Sequence, residues 1–286
     1  MEEKLWKACS NGKVEKVRKL IQNSQININW QNKNDYLETP FYIACQRGYI
    51  VIVKLLLNDK RVDINKTDNK GWTPFYLACQ TGYIEIVKLL LNDQRIDINK
   101  PNNEGETPFW IACNQGHIEI VKLLFNDNRV DINKANKYGW TPFYRACCFG
   151  YIEIVKLLLN DNRVDINKAG NDSETPFLIA CKWGKTEVVT YMLESGREID
   201  INKKDNDGKT GLDWANEDNK KMAILEGEKE FENRKRNYPK IVKLIESFQM
   251  NPVCNNLLCF LHFKAFIYFA NYLFIFFLIY FYFYSY

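Results

Sequence analysis

Short apolar runs alternate with polar, turn-rich stretches along most of this chain, and the stretch from Lys66 to Asn99 shows the pattern in full. Asn69-Lys70-Gly71 is a turn signal, because glycine takes a positive φ at low steric cost. Thr73-Pro74 then opens a helix: the threonine hydroxyl caps orphan N–H groups, and proline suits the first helical turn. Phe75, Leu77, Ala78 and Cys79 form the apolar side of that short helix, and Gly82 ends it. Ile84, Val87, Leu90 and Leu91 stand at helical spacing and predict a second helix from Ile84 to Leu91. Asn92-Asp93 closes it. Val62-Asp63-Ile64-Asn65 and its equivalents predict an extended entry to the next turn.

The pattern is periodic. Thr-Pro-Phe begins at Thr39, Thr73, Thr107, Thr141 and Thr175, 34 residues apart each time. A period of this size marks a linear array of small supersecondary units. Two short helices cannot bury both apolar faces alone, but units stacked side by side can. The run Gly71-Trp72-Thr73-Pro74-Phe75-Tyr76-Leu77-Ala78-Cys79, followed by Gly82-Tyr83-Ile84-Glu85-Ile86-Val87-Lys88-Leu89-Leu90-Leu91, resembles the ankyrin repeat. The resemblance implies an all-α ankyrin-repeat solenoid from Leu5 to Phe248, made of stacked helix-turn-helix units with hairpin loops. Phe replaces the usual Leu, and Tyr42, Tyr76, Trp110 and Tyr144 replace the usual His, which shifts packing detail without threatening the fold.

The array divides by register. Residues 1–35 form an N-terminal capping unit, in which Leu5-Trp6-Lys7-Ala8-Cys9 lacks the Thr-Pro signal. Five full repeats occupy 36–202, and 203–250 hold a degenerate repeat opening at Thr210-Gly211 with a second helix at Ile241–Ile245. A charged insertion, 217–240, interrupts that unit and reads as an exposed helix or mobile loop, either a solvated cap or a binding insert. A linker, 251–264, precedes residues 265–286, a run without a charge in which 13 of 22 residues are Phe or Tyr. As a helix it would extend about 33 Å, enough for a bilayer core, so a C-terminal transmembrane anchor is one reading. AT-rich codons read into flanking sequence would produce the same composition, and that is the other reading.

Composition narrows the function classes. The net charge of +4 is small and its lysines are spread over the repeats, whereas nucleic-acid binding wants a concentrated basic stripe. Cys9, Cys45, Cys79, Cys113, Cys147 and Cys181 share one repeat position. Neighbouring helices pack about 8–10 Å apart and a disulfide needs Cα atoms within roughly 7 Å, so this ladder is expected to be reduced core. Reduced thiols and the lack of an N-terminal signal peptide suit a cytoplasmic protein. With two histidines, His117 at a structural repeat position and His262 in the apolar tail, no nucleophile–base pair, phosphate loop or metal cluster is expected. The chain therefore reads as no enzyme, with no cofactor, no nucleic-acid partner and no predicted oligomer.

The ankyrin resemblance implies binding through hairpin tips and the inner face of the first helices. The tip before each Thr is Glu38, Trp72, Glu106, Trp140 and Glu174. Uniformity breaks in the fourth and fifth full repeats, where Tyr138, Trp140, Arg145, Cys148, Phe149 and Trp183 are expected near one another, with Trp72 two repeats away. Large aromatics at such positions are typical anchors of protein interfaces. Glu106, Lys137, Asp172, Glu174 and Lys182 would form a polar rim. The competing reading lays Trp72 and Trp140 flat across the hairpins and tucks Phe149 against Tyr151. The functional expectation is non-catalytic protein binding, membrane-tethered if the tail is an anchor. The alternative is a regulatory or targeting subunit of an enzyme, such as a kinase or phosphatase adaptor.

Overall fold

The computed structural model describes residues 1–217 and 228–250. Among them are fourteen helices: α1 Glu2–Ser10, α2 Val14–Ile21, α3 Pro40–Gln46, α4 Ile50–Leu57, α5 Pro74–Thr81, α6 Ile84–Leu91, α7 Pro108–Gln115, α8 Ile118–Phe125, α9 Pro142–Phe149, α10 Ile152–Leu159, α11 Pro176–Lys182, α12 Thr186–Glu194, α13 Gly211–Asn216 and α14 Glu228–Met250. They pack as two rows. The first helices of the units, α1 to α13 in odd numbers, neighbour one another, and the second helices form the other row.

Local chemistry starts each first helix. Thr39, Thr73, Thr107, Thr141 and Thr175 have extended backbone and accept a hydrogen bond from the N–H three residues on, at 3.0–3.1 Å. Such a cap contributes about 1 kcal/mol, and proline follows where its missing N–H costs nothing. Between the rows lies one continuous core containing Phe41, Phe75, Phe109, Phe143 and Phe177 and the Ala-Cys pairs beside them. All six ladder cysteines are free and buried, as their spacing predicts. Burial pushes their thiols up, Cys9 to about 12, so they stay protonated and inert.

Repeats are joined by contacts that recur in register. Arg61, Arg95, Arg129 and Arg163 each pair with the Asp two residues earlier. Their guanidinium groups then reach back to Ile21, Leu57, Leu91 and Phe125, each the final residue of the preceding unit's second helix, whose carbonyl lacks an intrahelical donor. Asn29, Asn65, Asn99, Asn133 and Asn167 form a second ladder. Each amide donates to a carbonyl of the next repeat at 2.7 Å and accepts an N–H from the same loop at 2.8–3.1 Å. A third seam is steric: Tyr49, Tyr83, His117 and Tyr151 lie over glycines of the preceding repeat. A Cβ on Gly116, whose φ is +76°, would lie 2.7 Å from the Tyr151 ring.

Two sequence expectations are corrected here. Val62-Asp63-Ile64-Asn65, expected as an extended entry, already turns at Ile64-Asn65, with Val62 and Ile64 buried and the Asn65 side chain bridging to the next repeat. The second helix of the degenerate repeat begins at Glu228, well before Ile241, and runs through Pro239. Ile241 and Ile245 are buried against the last units, while Asn237 and Tyr238 donate to the carbonyls of Gly184 and Lys182. These tertiary ties hold a helix that proline alone would break. Residues 218–227 of the expected insertion, the linker 251–264 and the expected span 265–286 lie outside the described residues. Among those described, no helix is long and apolar enough to cross a membrane.

Asn99→Ala removes two inter-repeat hydrogen bonds and is expected to lower unfolding free energy by about 1–2 kcal/mol. Chemical denaturation checks this; an unchanged midpoint would show that the asparagine ladder carries no stability.

Candidate functional site

The hairpin loops before the first helices step along the array through their backbones. Asn69, Asn103, Lys137, Asn171 and Asn206 each donate an N–H to the preceding tip, at 2.8–3.0 Å. Each loop is closed by one backbone bond, linking Asn32 to Glu38, Asp68 to Trp72, Asn102 to Glu106, Asn136 to Trp140, Gly170 to Glu174 and Asp205 to Lys209. The tyrosines that stand where histidine was expected reach across to these pairs. Tyr42 donates to Asp68, Tyr76 to Glu106 and Tyr144 to Glu174, at 2.8–2.9 Å, and the Trp110 indole donates to the Trp140 carbonyl at 2.8 Å. Burial, followed by the facing carboxylate, raises the pKa of each tyrosine, so all three remain donors.

This arrangement changes the expected rim. Glu174 is buried, accepting from Tyr144 and paired with Lys182, and Glu106 accepts from Tyr76 and Asn102. Lys182 also lies 4.0 Å above the Trp214 ring. Of the expected rim, only Lys137 is exposed, with Asp172 half-buried. His117 is structural, its Nε2 lying 2.9 Å from the Gln80 carbonyl.

The fourth repeat gathers most of the expected aromatic group. Trp140 stacks on Tyr144 with rings 5.9 Å apart and 3° from parallel, and Tyr138 leans on Trp140 at 5.0 Å. Phe149 contacts Tyr151 at 5.7 Å, as the competing reading had it, yet remains 43% exposed; Tyr138 is 50% exposed. Arg145 lies across Phe149, Trp140 and Trp110 at 4.6, 5.1 and 5.5 Å, and its Nε donates to Asn114 Oδ1 at 2.6 Å. Trp110 and Asn114 thus belong to the cluster, which sequence spacing did not single out. Cys148 departs from the expected exposed position: it is 8% exposed, and burial raises its thiol. Trp72 belongs to a separate group, stacked on Tyr76 at 5.8 Å beneath Lys70. Trp183 is half-buried at the end of α11.

Family models for ankyrin repeats match this chain over 5–102 and 94–170 (three copies) and again over 149–193 (many copies). With the paired helices and stepped hairpins, these matches decide the family. The chain is an ankyrin repeat protein. A search of curated proteins found no match. Ankyrin repeats are protein–protein interaction modules. No group of metal-ligating side chains occurs among the described residues.

The first ankyrin hairpin carries a titration of its own. Burial, reinforced by the Asp35 and Asp68 carboxylates, pushes Glu38 up to about 7. The folded chain holds this proton more tightly than the unfolded one, so the stability it contributes is full below pH 4.5 and lost as pH rises through 7. Glu38→Gln, which mimics the protonated acid, is expected to melt higher than the native protein above pH 7, the gap closing below pH 4.5. A gap that does not change with pH would contradict this.

Proposed function

We propose that this protein is a non-catalytic binding module that docks a protein partner against the fourth-repeat face, with Tyr138, Trp140 and Phe149 as anchors and Arg145 among them. Trp183 flanks that face in the next repeat, and Trp72 lies two repeats before it. The observation carrying the reading is that Tyr138 and Phe149 stay about half exposed beside packed rings, where most large side chains of the array are buried. Preorganised aromatics lose little entropy on binding and favour a few dominant anchors. An adaptor role, targeting a kinase or phosphatase, differs from plain scaffolding only in the partner captured.

Trp140→Ala combined with Phe149→Ala is expected to weaken partner capture by roughly a hundredfold, the loss of one strong anchor. The melting curve should stay close to native, because Phe149 is exposed and Trp140 half-buried. Quantitative proximity labelling with both proteins checks this, and an unchanged partner profile would refute the patch. A membrane tether through 265–286 is a further part of the proposal, supported by 22 residues without a charge. The full-length chain is then expected in the membrane pellet after carbonate washing, and complete extraction would exclude the tether.

A further inference from the structure

Every hairpin but one brings a carboxylate to its closing pair. Glu38, Asp68, Glu106, Glu174 and Asp205 supply it in the other five, whereas the fourth pairs Asn136 with Trp140. The consequence shows in the hydrogen bonds. Asn102 Nδ2 donates to Glu106 at 2.8 Å, but the equivalent Nδ2 of Asn136, a residue 7% exposed, is buried with no acceptor. The Trp140 indole N–H beside it is also buried and unmatched.

The same repeat carries a cation where its neighbours are apolar. Arg145 occupies the position of Ile43, Leu77, Ile111 and Ile179, all buried. Asn114 takes its Nε, and no carboxylate among the described residues lies within ion-pair distance, unlike Lys182 with Glu174. Asp172 accepts the Glu174 N–H, and Glu104 faces the Tyr138 hydroxyl at 3.5 Å. Three aromatic rings surround the guanidinium carbon at 4.6–5.5 Å, and among the described residues only Nε is hydrogen-bonded, so the terminal fork keeps the geometry that matches a carboxylate.

We propose that the fourth repeat recognises an acidic peptide segment of a partner protein, an Asp or Glu carboxylate docking on Arg145 while an adjacent apolar side chain packs on Phe149 and Tyr138. The partner thus supplies the charge that this hairpin alone omits. This rests on the reading of the face as a protein-binding surface and adds the chemistry it selects.

The test uses full-length protein and random peptides displayed on phage. Enriched peptides are expected to share an Asp or Glu beside an aromatic or aliphatic residue. One such peptide, synthesised with its acid and with the corresponding amide, is titrated against native protein and Arg145→Ile, which places a neighbour repeat's residue at the site. Either change should weaken binding about ten- to hundredfold, and both together no more than one alone, as a shared contact requires. Matching melting curves show that Arg145→Ile folds. Enrichment without acidic bias, native affinity in Arg145→Ile, or additive losses would each overturn the proposal. So would displacement of the peptide by single-stranded DNA, or Arg145-dependent self-association, which would assign the face to nucleic acid or to a second copy. Acidic peptides that bind the Trp140→Ala, Phe149→Ala protein unchanged would sink the aromatic anchors and leave the Arg145 contact standing. Failure to enrich any peptide would remove both.

Discussion

Neither helix of a unit can bury its apolar face within that unit, so this protein is held together between repeats. That constraint accounts for how much of the sequence is committed. The arginine at each loop neutralises the carbonyl end of the previous repeat's second helix. The asparagine of each loop bridges forward, and Tyr49, Tyr83, His117 and Tyr151 each rest on a glycine of the repeat behind. None of these contacts is strong alone. Repeated along an array, they act as nearest-neighbour coupling, which is where a solenoid's stability lies.

The legible part of the fold was whatever depended on short range or on the period. The Thr-Pro caps, the bounds of α6 and the buried cysteine ladder followed from residues a few positions apart, or from seeing one residue type return at a fixed interval. What escaped needed knowledge of a partner one repeat away. Tyr76 looked like a packing substitute for histidine, because its hydroxyl has meaning only once Glu106 stands opposite. Glu106 and Glu174 looked like solvent-facing charge for the same reason, and both are spent inside the stack. The start of α14 lies in the charged insertion, where helix and loop were both open, because Asn237 and Tyr238 find their acceptors only in the preceding repeat.

The candidate site was legible as a departure from uniformity but not as a geometry. Spacing grouped Tyr138, Trp140, Arg145 and Phe149 correctly, because residues of one repeat share a face. It could not tell that Trp140 lies flat on Tyr144, that Cys148 turns inward, or that Trp110 and Asn114 reach across from the third repeat to hold Arg145. Each of these depends on side-chain direction rather than on register.

The fourth repeat suspends three rules that most of the array keeps. Where the closing carboxylate is present, the hairpin amide and the facing tyrosine find their acceptor, as Asn102 and Tyr76 do at Glu106. In the fourth repeat the closing carboxylate is replaced by an indole, a buried aliphatic by arginine, and a polar surface position by phenylalanine. Leaving Asn136 Nδ2 unmatched and a guanidinium half-buried opposes folding, since buried polar groups without partners are destabilising. The flanking repeats, coupled on both sides by the asparagine ladder, supply the stability that tolerates the exception. Local rules fail where a protein serves something other than its own fold, and in this chain three of them fail within one 34-residue unit.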